Sequence, residues 1–215
     1  MAYPTVSAPY GLKPVNLIGG QVFAGATRQI PIASGYNTSI FNGDVVKRVS
    51  DGTLELDTGT TTATPVGVFL GCSYTDPVLK YKLFSQYYPA NTSASDIMAF
   101  VADDPDQLFK VALVSGTTVI ATLGRTAVGS NLALVQNTGS SVTGDSAVAA
   151  LTTSIATTAS LPLRVIDVVP DTATGSDAFV EVIVKWNAPY ITLVEGTPNV
   201  VTWAGGHQYL NPTGV

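Results

Sequence analysis

Short runs of β-branched residues, separated by turns rich in Gly, Asp and Asn, recur from about Tyr36 to Trp186. Thr and Val each occur 27 times among the 215 residues, whereas Glu occurs three times. Side chains that branch at Cβ are stiff about χ1 and suit the pleated surface of a sheet better than a helix. The sequence therefore predicts a mainly all-β protein, built from small β-barrel or sandwich modules, with at most one short helix.

Turn chemistry predicts where individual strands begin and end. Asp51-Gly52 follows the run Val45–Val49, and an Asp-Gly pair favours a two-residue hairpin turn. Residues Pro65–Gly71 form a nearly continuous apolar run, which is typical of a buried strand. Asp103–Asp106 separates two further apolar runs and predicts a second hairpin, because Asp and Pro suit turn geometry.

The one expected helix covers Ser146–Thr158, capped by Asp145, because Val148, Leu151 and Ile155 recur at spacings of three and four. A turn and strand at Val128–Val135 resemble the earlier pattern that starts at Asn42, which suggests two related β-modules with a boundary near Ser115–Leu123. The prediction divides the chain into an N-terminal arm at 1–35, a first β-module at 36–115, a second at 116–190 and a C-terminal tail at 191–215.

Both ends of the chain are rich in Pro and Gly. In the first 35 residues, only Pro14–Ile18 and Arg28–Ile32 have strand character. Because each Pro removes a backbone donor and fixes φ, this opening favours an extended arm over a core element. The alternative is that the arm folds back on its own chain.

Charge and cysteine usage exclude several classes of protein. The net charge is −5, so no basic face is expected for nucleic acid. The single cysteine, Cys72, and single histidine, His207, allow neither an internal disulfide nor a zinc site. The longest uncharged windows are diluted by Thr, Ser and Gly, and no transmembrane helix is expected. The first residues lack the features of a secretory signal, which predicts synthesis in a cytoplasm.

The inventory of reactive groups is thin for an enzyme, and we expect no catalytic residue and no cofactor. His207 has no Ser or Cys nucleophile motif near it, and the chain has no Gly-x-Ser-x-Gly elbow. A surface or interface histidine is the favoured interpretation. Cys72 follows a buried-looking strand without a basic neighbour, so it is expected to be a small core residue.

Acidic residues give two weaker candidates for chemistry. Asp103, Asp104 and Asp106 are the best candidate for a hard cation. They do not match a calcium loop, and their role in a turn is favoured, so no metal is predicted. A pair of catalytic carboxylates would need Glu55, Glu181 or Glu195, but Glu55 and Glu181 lie on strand patterns that nothing brings to a cleft.

Tyrosines concentrate between Tyr74 and Tyr88, where Phe84-Ser-Gln-Tyr-Tyr-Pro is strongly aromatic. Tyr is enriched in protein interfaces. A contact with another protein is the first interpretation of this segment. A cap over one end of a barrel is the second, and a platform for a glycan is the third.

Several phrases resemble a known family. They are the stretch Pro14–Ala33, Phe41-Asn-Gly-Asp-Val-Val, Pro65-Val-Gly-Val-Phe-Leu-Gly and Ala102-Asp-Asp-Pro-Asp. The chain resembles structural proteins of tailed phages of aquatic bacteria, especially cyanophages, that are taken to be capsid decoration or cement proteins. The resemblance extends over most of the chain, and its motifs consist of turn and strand residues.

The resemblance implies a β-rich protein on the outer capsid surface of a virion, bound to the major capsid protein and to itself, commonly as a homotrimer at threefold and quasi-threefold positions. Its partners would include neither nucleic acid nor a membrane. A component of the tail or head-tail connector, and a carbohydrate-binding adhesion module, remain alternatives. The candidate residues for capsid or intersubunit contact are Tyr10, Leu12, Val15, Leu17, Ile18, Tyr87, Tyr88, Trp203 and Tyr209.

Overall fold

The structure, a computed structural model, describes residues 7–117, 125–172, 179–193 and 201–212. These residues contain fourteen strands and three short 3-10 helices, so the predicted all-β class is confirmed. None of their helices has the length and apolar character needed to cross a membrane. The strands are β1 (Lys13–Leu17), β2 (Arg28–Pro31), β3 (Val45–Arg48), β4 (Leu54–Leu56), β5 (Gly67–Thr75), β6 (Lys82–Ser85), β7 (Met98–Ala102), β8 (Gln107–Val114), β9 (Asn131–Val135), β10 (Ala149–Ala156), β11 (Leu163–Val168), β12 (Glu181–Trp186), β13 (Tyr190–Leu193) and β14 (Val201–Ala204).

Five strands close into a barrel in the order β8-β10-β9-β11-β12, because β12 pairs back onto β8. Its core is made by alternate residues of these strands, including Phe109, Leu132 and Val184. The Phe109 and Trp186 rings meet at a centroid distance of 5.5 Å and both are buried. Strand β1 pairs with the Gln107 end of β8, on the edge opposite to β12.

A second sheet has the order β2-β7-β5-β3-β4, and β6 also pairs with β5. Because side chains alternate between the two faces of a strand, neighbouring residues of this sheet pack in different cores. Val45 and Val68 pack in the cluster that fills the barrel. Val46 and Phe69 pack on the opposite face, in a separate cluster. The second sheet is therefore covered on both faces, which agrees with the continuous apolar run seen in β5.

The described part of the predicted arm packs on its own chain. Its two predicted strands are confirmed as β1 and β2, which join the barrel and the second sheet respectively. Leu12 is fully buried. Of the two alternatives for this segment, folding back on the same chain is the one that the described residues adopt.

The predicted helix at Ser146–Thr158 is wrong, because this segment contains β10. Ala149–Leu151 pairs antiparallel with β9, and the same strand runs parallel to β8. The β-branched Thr152, Thr153 and Ile155 suit that position, and the pairing available in the barrel outweighs a weak helical spacing. Asp145 caps no helix and instead accepts hydrogen bonds from Lys13 and Gln86.

One of the two predicted hairpins is correct. Asp51-Gly52 joins the antiparallel strands β3 and β4, with Gly52 at a φ of +85°. Asp103–Asp106 does form a turn, in which Gln107 N donates to Asp104 O. It does not form a hairpin, because β7 lies in the second sheet and β8 in the barrel. The chain therefore changes sheet at this turn. Most of the boundary predicted near Ser115–Leu123 lies outside the described residues.

Candidate functional site

Among the described residues, several large exposed apolar side chains are gathered on the β5–β6 hairpin. Val78 is 80% exposed and Phe84 is 75% exposed, and Leu79 and Tyr81 are at least half exposed. Large apolar side chains gathered in one place on a surface mark sites of contact with a partner. We call residues 76–85 the apolar hairpin.

Hydrogen bonds within the turn hold the apolar hairpin in one conformation. The carboxylate of Asp76 accepts from the backbone N–H groups of Val78 and Leu79, both at 2.7 Å. Asp76 N donates to Tyr81 O, and Lys80 N donates to Asp76 O. Lys80 takes a φ of +60°. A turn that is already ordered loses little conformational entropy when a partner binds.

The base of the apolar hairpin is tied to the second sheet. Phe84 stacks on Phe100 of β7 with an angle of 17° between the rings. Lys82 Nζ lies 2.8 Å from the Asp96 carboxylate, which also accepts from Thr75. These hydrogen bonds, that of Lys82 first, hold the pKa of Asp96 below its ordinary value. The exposed side chains therefore stand on a fixed support.

The predicted aromatic segment divides between surface and core. Tyr81 is half exposed, whereas Tyr87 is partly buried and stacks on Phe41 at 5.5 Å. Tyr88 is fully buried, and its hydroxyl donates to Tyr36 O. Burial raises the pKa of Tyr88. Tyr88 is therefore a core residue rather than a surface for contact.

The N-terminal candidates also divide. Leu12 is fully buried and is not available to a partner. Val15 and Leu17 are half-buried in β1, and Ile18 is exposed directly after that strand. Tyr10 is partly buried, and its hydroxyl donates to the Glu181 carboxylate. Of these five residues, Ile18 is the one with a freely exposed side chain.

A groove of about 640 Å³ forms a second candidate surface. It lies between residues 17–28 and the Asp103–Asp106 turn, with Tyr209 on its wall. Val22 is 75% exposed on its rim. The apolar lining also includes Leu17, Phe23, Ala24, Ala26 and Pro105. We call this surface the acidic-rim groove.

Polar contacts fix one wall of the acidic-rim groove. The Asp103 carboxylate accepts from Arg28 Nε at 2.5 Å and from the Tyr209 hydroxyl at 2.8 Å. The Arg28 guanidinium also lies 5.5 Å from the centre of the Tyr209 ring. Tyr209, a contact residue predicted from the sequence, is thus half exposed on this wall. The side chain of Trp203, in β14, lies outside the described residues.

His207 is not the predicted surface or interface histidine, because its side chain is fully buried. Its Nδ1 accepts from Tyr209 N, and Nε2 has no hydrogen-bond partner among the described residues. Burial lowers the pKa of His207 to about 4, and the nearby Asp103 and Asp104 carboxylates oppose that shift. At neutral pH this histidine is a neutral core residue.

Two other sequence predictions concern groups that were candidates for chemistry. Cys72 is buried, and burial raises the pKa of its thiol to about 12, so it is the core residue that the sequence predicted. In the Asp103–Asp106 turn, the Asp104 carboxylate accepts from Asp106 N, as expected of a turn. Within the described residues, no group of three or more His, Cys, Asp or Glu side chains is arranged to hold a metal ion.

Sequence reasoning missed a charged cluster around Glu181. This residue lies on β12 as predicted, but its carboxylate is buried and lies 3.1 Å from Lys110 Nζ. Tyr10 donates to the same carboxylate, and burial followed by this hydrogen bond raises the pKa of Tyr10. The cluster joins the N-terminal segment to the barrel wall. A Tyr in an irregular segment and a lone Glu on a strand carry no signal that they will meet.

Comparison with protein-family models, curated proteins and solved structures found no match.

Proposed function

We propose that this protein is a viral structural protein, a capsid decoration or cement protein of a tailed phage that binds the outside of the major capsid protein shell. The observation that carries the proposal is the apolar hairpin, which presents Val78, Leu79 and Phe84 to solvent on a fixed support. Apolar side chains held in this way are suited to a protein partner, and for a decoration protein that forms oligomers this partner is either the capsid protein or another copy of the chain. The resemblance of the sequence to decoration proteins supports the same conclusion.

The fold suits a structural protein, because extensive burial stabilises the barrel and the second sheet. Buried clusters cover both faces of the second sheet and fill the barrel. A shell protein must hold adjacent subunits against internal pressure, and many modest contacts repeated over the shell add to a large resistance. A homotrimer at threefold and quasi-threefold positions fits this role. The proposal includes no catalytic activity and no cofactor.

The copy number of the chain in purified particles of its virus tests this proposal. Quantitative mass spectrometry would compare it with the major capsid protein. A ratio near one to one, or one trimer for each threefold position, supports a role over the whole shell. A few copies per particle would overturn that role in favour of the tail or head-tail connector. Absence from the particle would overturn every virion role.

A glycan-binding module is a second candidate, because Tyr81 and Phe84 expose aromatic faces on neighbouring parts of the apolar hairpin. Glycan binding that is saturable and is lost in Tyr81→Ala and Phe84→Ala variants would favour it. Tyr88 is unsuitable for this test, since its fully buried side chain belongs to the core. Removing it would destabilise the fold.

A further inference from the structure

Two exposed surfaces lie at opposite ends of the second sheet. The apolar hairpin follows Thr75, at the end of β5. The acidic-rim groove lies at the other end, because β7 runs antiparallel to β5 and pairs Ala102, which lines the groove, with Val68. A strand of nine residues spans about 26 Å. The hairpin therefore cannot reach the groove of its own chain.

The two surfaces are complementary in charge. The apolar hairpin carries Lys80 at its tip, whereas Lys82 at its base is already paired with Asp96. Two aspartates, Asp103 and Asp104, line the acidic-rim groove, and Asp103 is already paired with Arg28. Lys80 at the tip and Asp104 on the rim are exposed, and neither makes an ion pair with a described residue. The Lys80 ammonium at an apolar tip is therefore suited to the Asp104 carboxylate on the groove of another copy.

Both surfaces also expose apolar side chains. Val78 and Leu79 project from the hairpin, whereas Val22, Phe23 and Pro105 line a concave surface. Its volume of about 640 Å³ lies in the range of cavities that enclose a ligand, about 300–1,000 Å³. Such a groove has room for a few apolar side chains.

We propose that the apolar hairpin of one copy docks into the acidic-rim groove of a second copy, so that copies of this chain join head to tail. Contacts between two different surfaces generate a ring when the rotation between copies closes. This inference rests on the proposed function in one respect, because the proposed function includes a homotrimer and the docked hairpin would be the contact that forms it. It names the hairpin as a contact between copies, and leaves the capsid protein to other surfaces.

The mass of the purified chain in solution tests the inference first. Light scattering after size-exclusion chromatography, over a range of concentrations, should show the wild-type chain associating into a closed oligomer of three copies. A chain with both Val78→Ser and Leu79→Ser should be monomeric. The matched control is Val142→Ser, which removes a side chain that is 93% exposed on another turn and should leave the mass unchanged.

A charge exchange tests the pairing of the two surfaces. Lys80→Glu should weaken association about fivefold at low salt, because an attraction of the size of an exposed ion pair becomes a repulsion. Adding Asp104→Lys to the same chain should restore association to within about twofold of wild type. Asp104→Asn retains an acceptor for Asp106 N, so it controls for the turn itself. Circular dichroism would check that each variant is folded.

Three outcomes would overturn the inference. They are a wild-type chain that stays monomeric at every concentration, an oligomer that survives the two serine substitutions, and a failure of the Asp104→Lys change to restore the Lys80→Glu variant. None of these outcomes alters the copy number in virus particles, which tests the proposed function separately. A monomer that is abundant in particles would overturn the inference and leave the proposed function standing.

Discussion

Gly11 lets the N-terminal segment pass between the barrel and the second sheet. It takes a φ of +79°, a conformation that side-chain-bearing residues rarely adopt. A Cβ at this position would lie 2.6 Å from both the Gly43 carbonyl oxygen and Ser146 Cβ. The backbone here also forms hydrogen bonds with the segments on both sides, since Gly11 N donates to Val148 O and Leu12 N donates to Gly43 O.

We therefore expect Gly11→Ala to lower the free energy of unfolding by about 3 kcal/mol, from left-handed strain and a steric clash together. Gly20→Ala is the matched control, because Gly20 has a φ of +83° with no atom within 4 Å of its added Cβ. That change should cost about 1 kcal/mol from strain alone. Urea unfolding would measure both. Equal losses at the two positions would show that the close approach at Gly11 does not exist in solution.

Two buried titratable residues give stability opposite dependences on pH. Burial lowers the pKa of His207 to about 4, so its contribution is present above pH 6.5 and is lost as the pH falls toward the folded value. Burial raises the pKa of Asp44 to about 6, so its contribution is present below pH 3.8 and is lost as the pH rises through the folded value. The same cause raises the pKa of Asp57.

Replacing one of these two residues should leave the pH dependence of stability that is due to the other. When the pH falls from 7.5 to 5, protonation linked to His207 should lower the free energy of unfolding of the wild-type protein by about 2 kcal/mol. His207→Asn should abolish this decrease, and the Asn amide oxygen can still accept from Tyr209 N. Protonation of Asp44 should raise the free energy of unfolding by about 1 kcal/mol over the same interval, and Asp44→Asn should abolish this increase. Urea unfolding at the two pH values would measure both effects. If His207→Asn leaves the pH dependence unchanged, the histidine is not buried in a neutral form.

The β5–β6 hairpin shows how one side chain can order an exposed element. Asp76 accepts the backbone N–H groups of both Val78 and Leu79. No described core residue lies in this turn. Local hydrogen bonds rather than burial therefore set its conformation, and they act on the turn alone.

Asp76→Ala should loosen the hairpin without unfolding the protein. Amide hydrogen exchange at residues 78 and 79 should rise about tenfold, whereas the free energy of unfolding should fall by about 1 kcal/mol. Asp76→Asn keeps an acceptor oxygen and should retain most of the protection. Exchange that is already fast in the wild-type protein would contradict an ordered turn.

At the level of elements, local chemistry predicts turns better than it predicts pairing. Asp51-Gly52 and Asp103–Asp106 both form turns, but only the first joins two strands of one hairpin. The aspartates stabilise the turn in either case, and the partner of the next strand depends on distant residues. The same applies to β10, where pairing with β9 and β8 decided against a helix.

In the whole molecule, the C-terminal segment joins the two sheets. The Gln208 side chain accepts from Arg48 N and donates to Arg48 O, at 2.8 and 2.9 Å, and Gln208 N donates to Pro65 O. One residue earlier, His207 N donates to Asn187 O, just after β12. This segment therefore links the end of β12 in the barrel to β3, and to the residues just before β5, in the second sheet.

Gln208→Ala should lower the free energy of unfolding by about 2 kcal/mol, because two side-chain hydrogen bonds to the backbone are lost. Leu210→Ala is the control in the same 3-10 helix, and its exposed side chain should make the change nearly neutral. Thermal and urea unfolding would compare the two. Similar stability in both variants would indicate that the C-terminal segment does not hold the sheets together.

The sequence by itself determined the β class, the strand character of β1, β2 and β5, the Asp-Gly hairpin and the core position of Cys72. These features depend on side-chain branching, turn geometry and local polarity, which act over a few residues. Only the tertiary structure decided that Tyr88 and His207 are buried, that Glu181 meets Tyr10 and Lys110, and that the chain changes sheet at Asp103–Asp106. Alternation along a strand defines its two faces, but strands distant in sequence decide what covers each face.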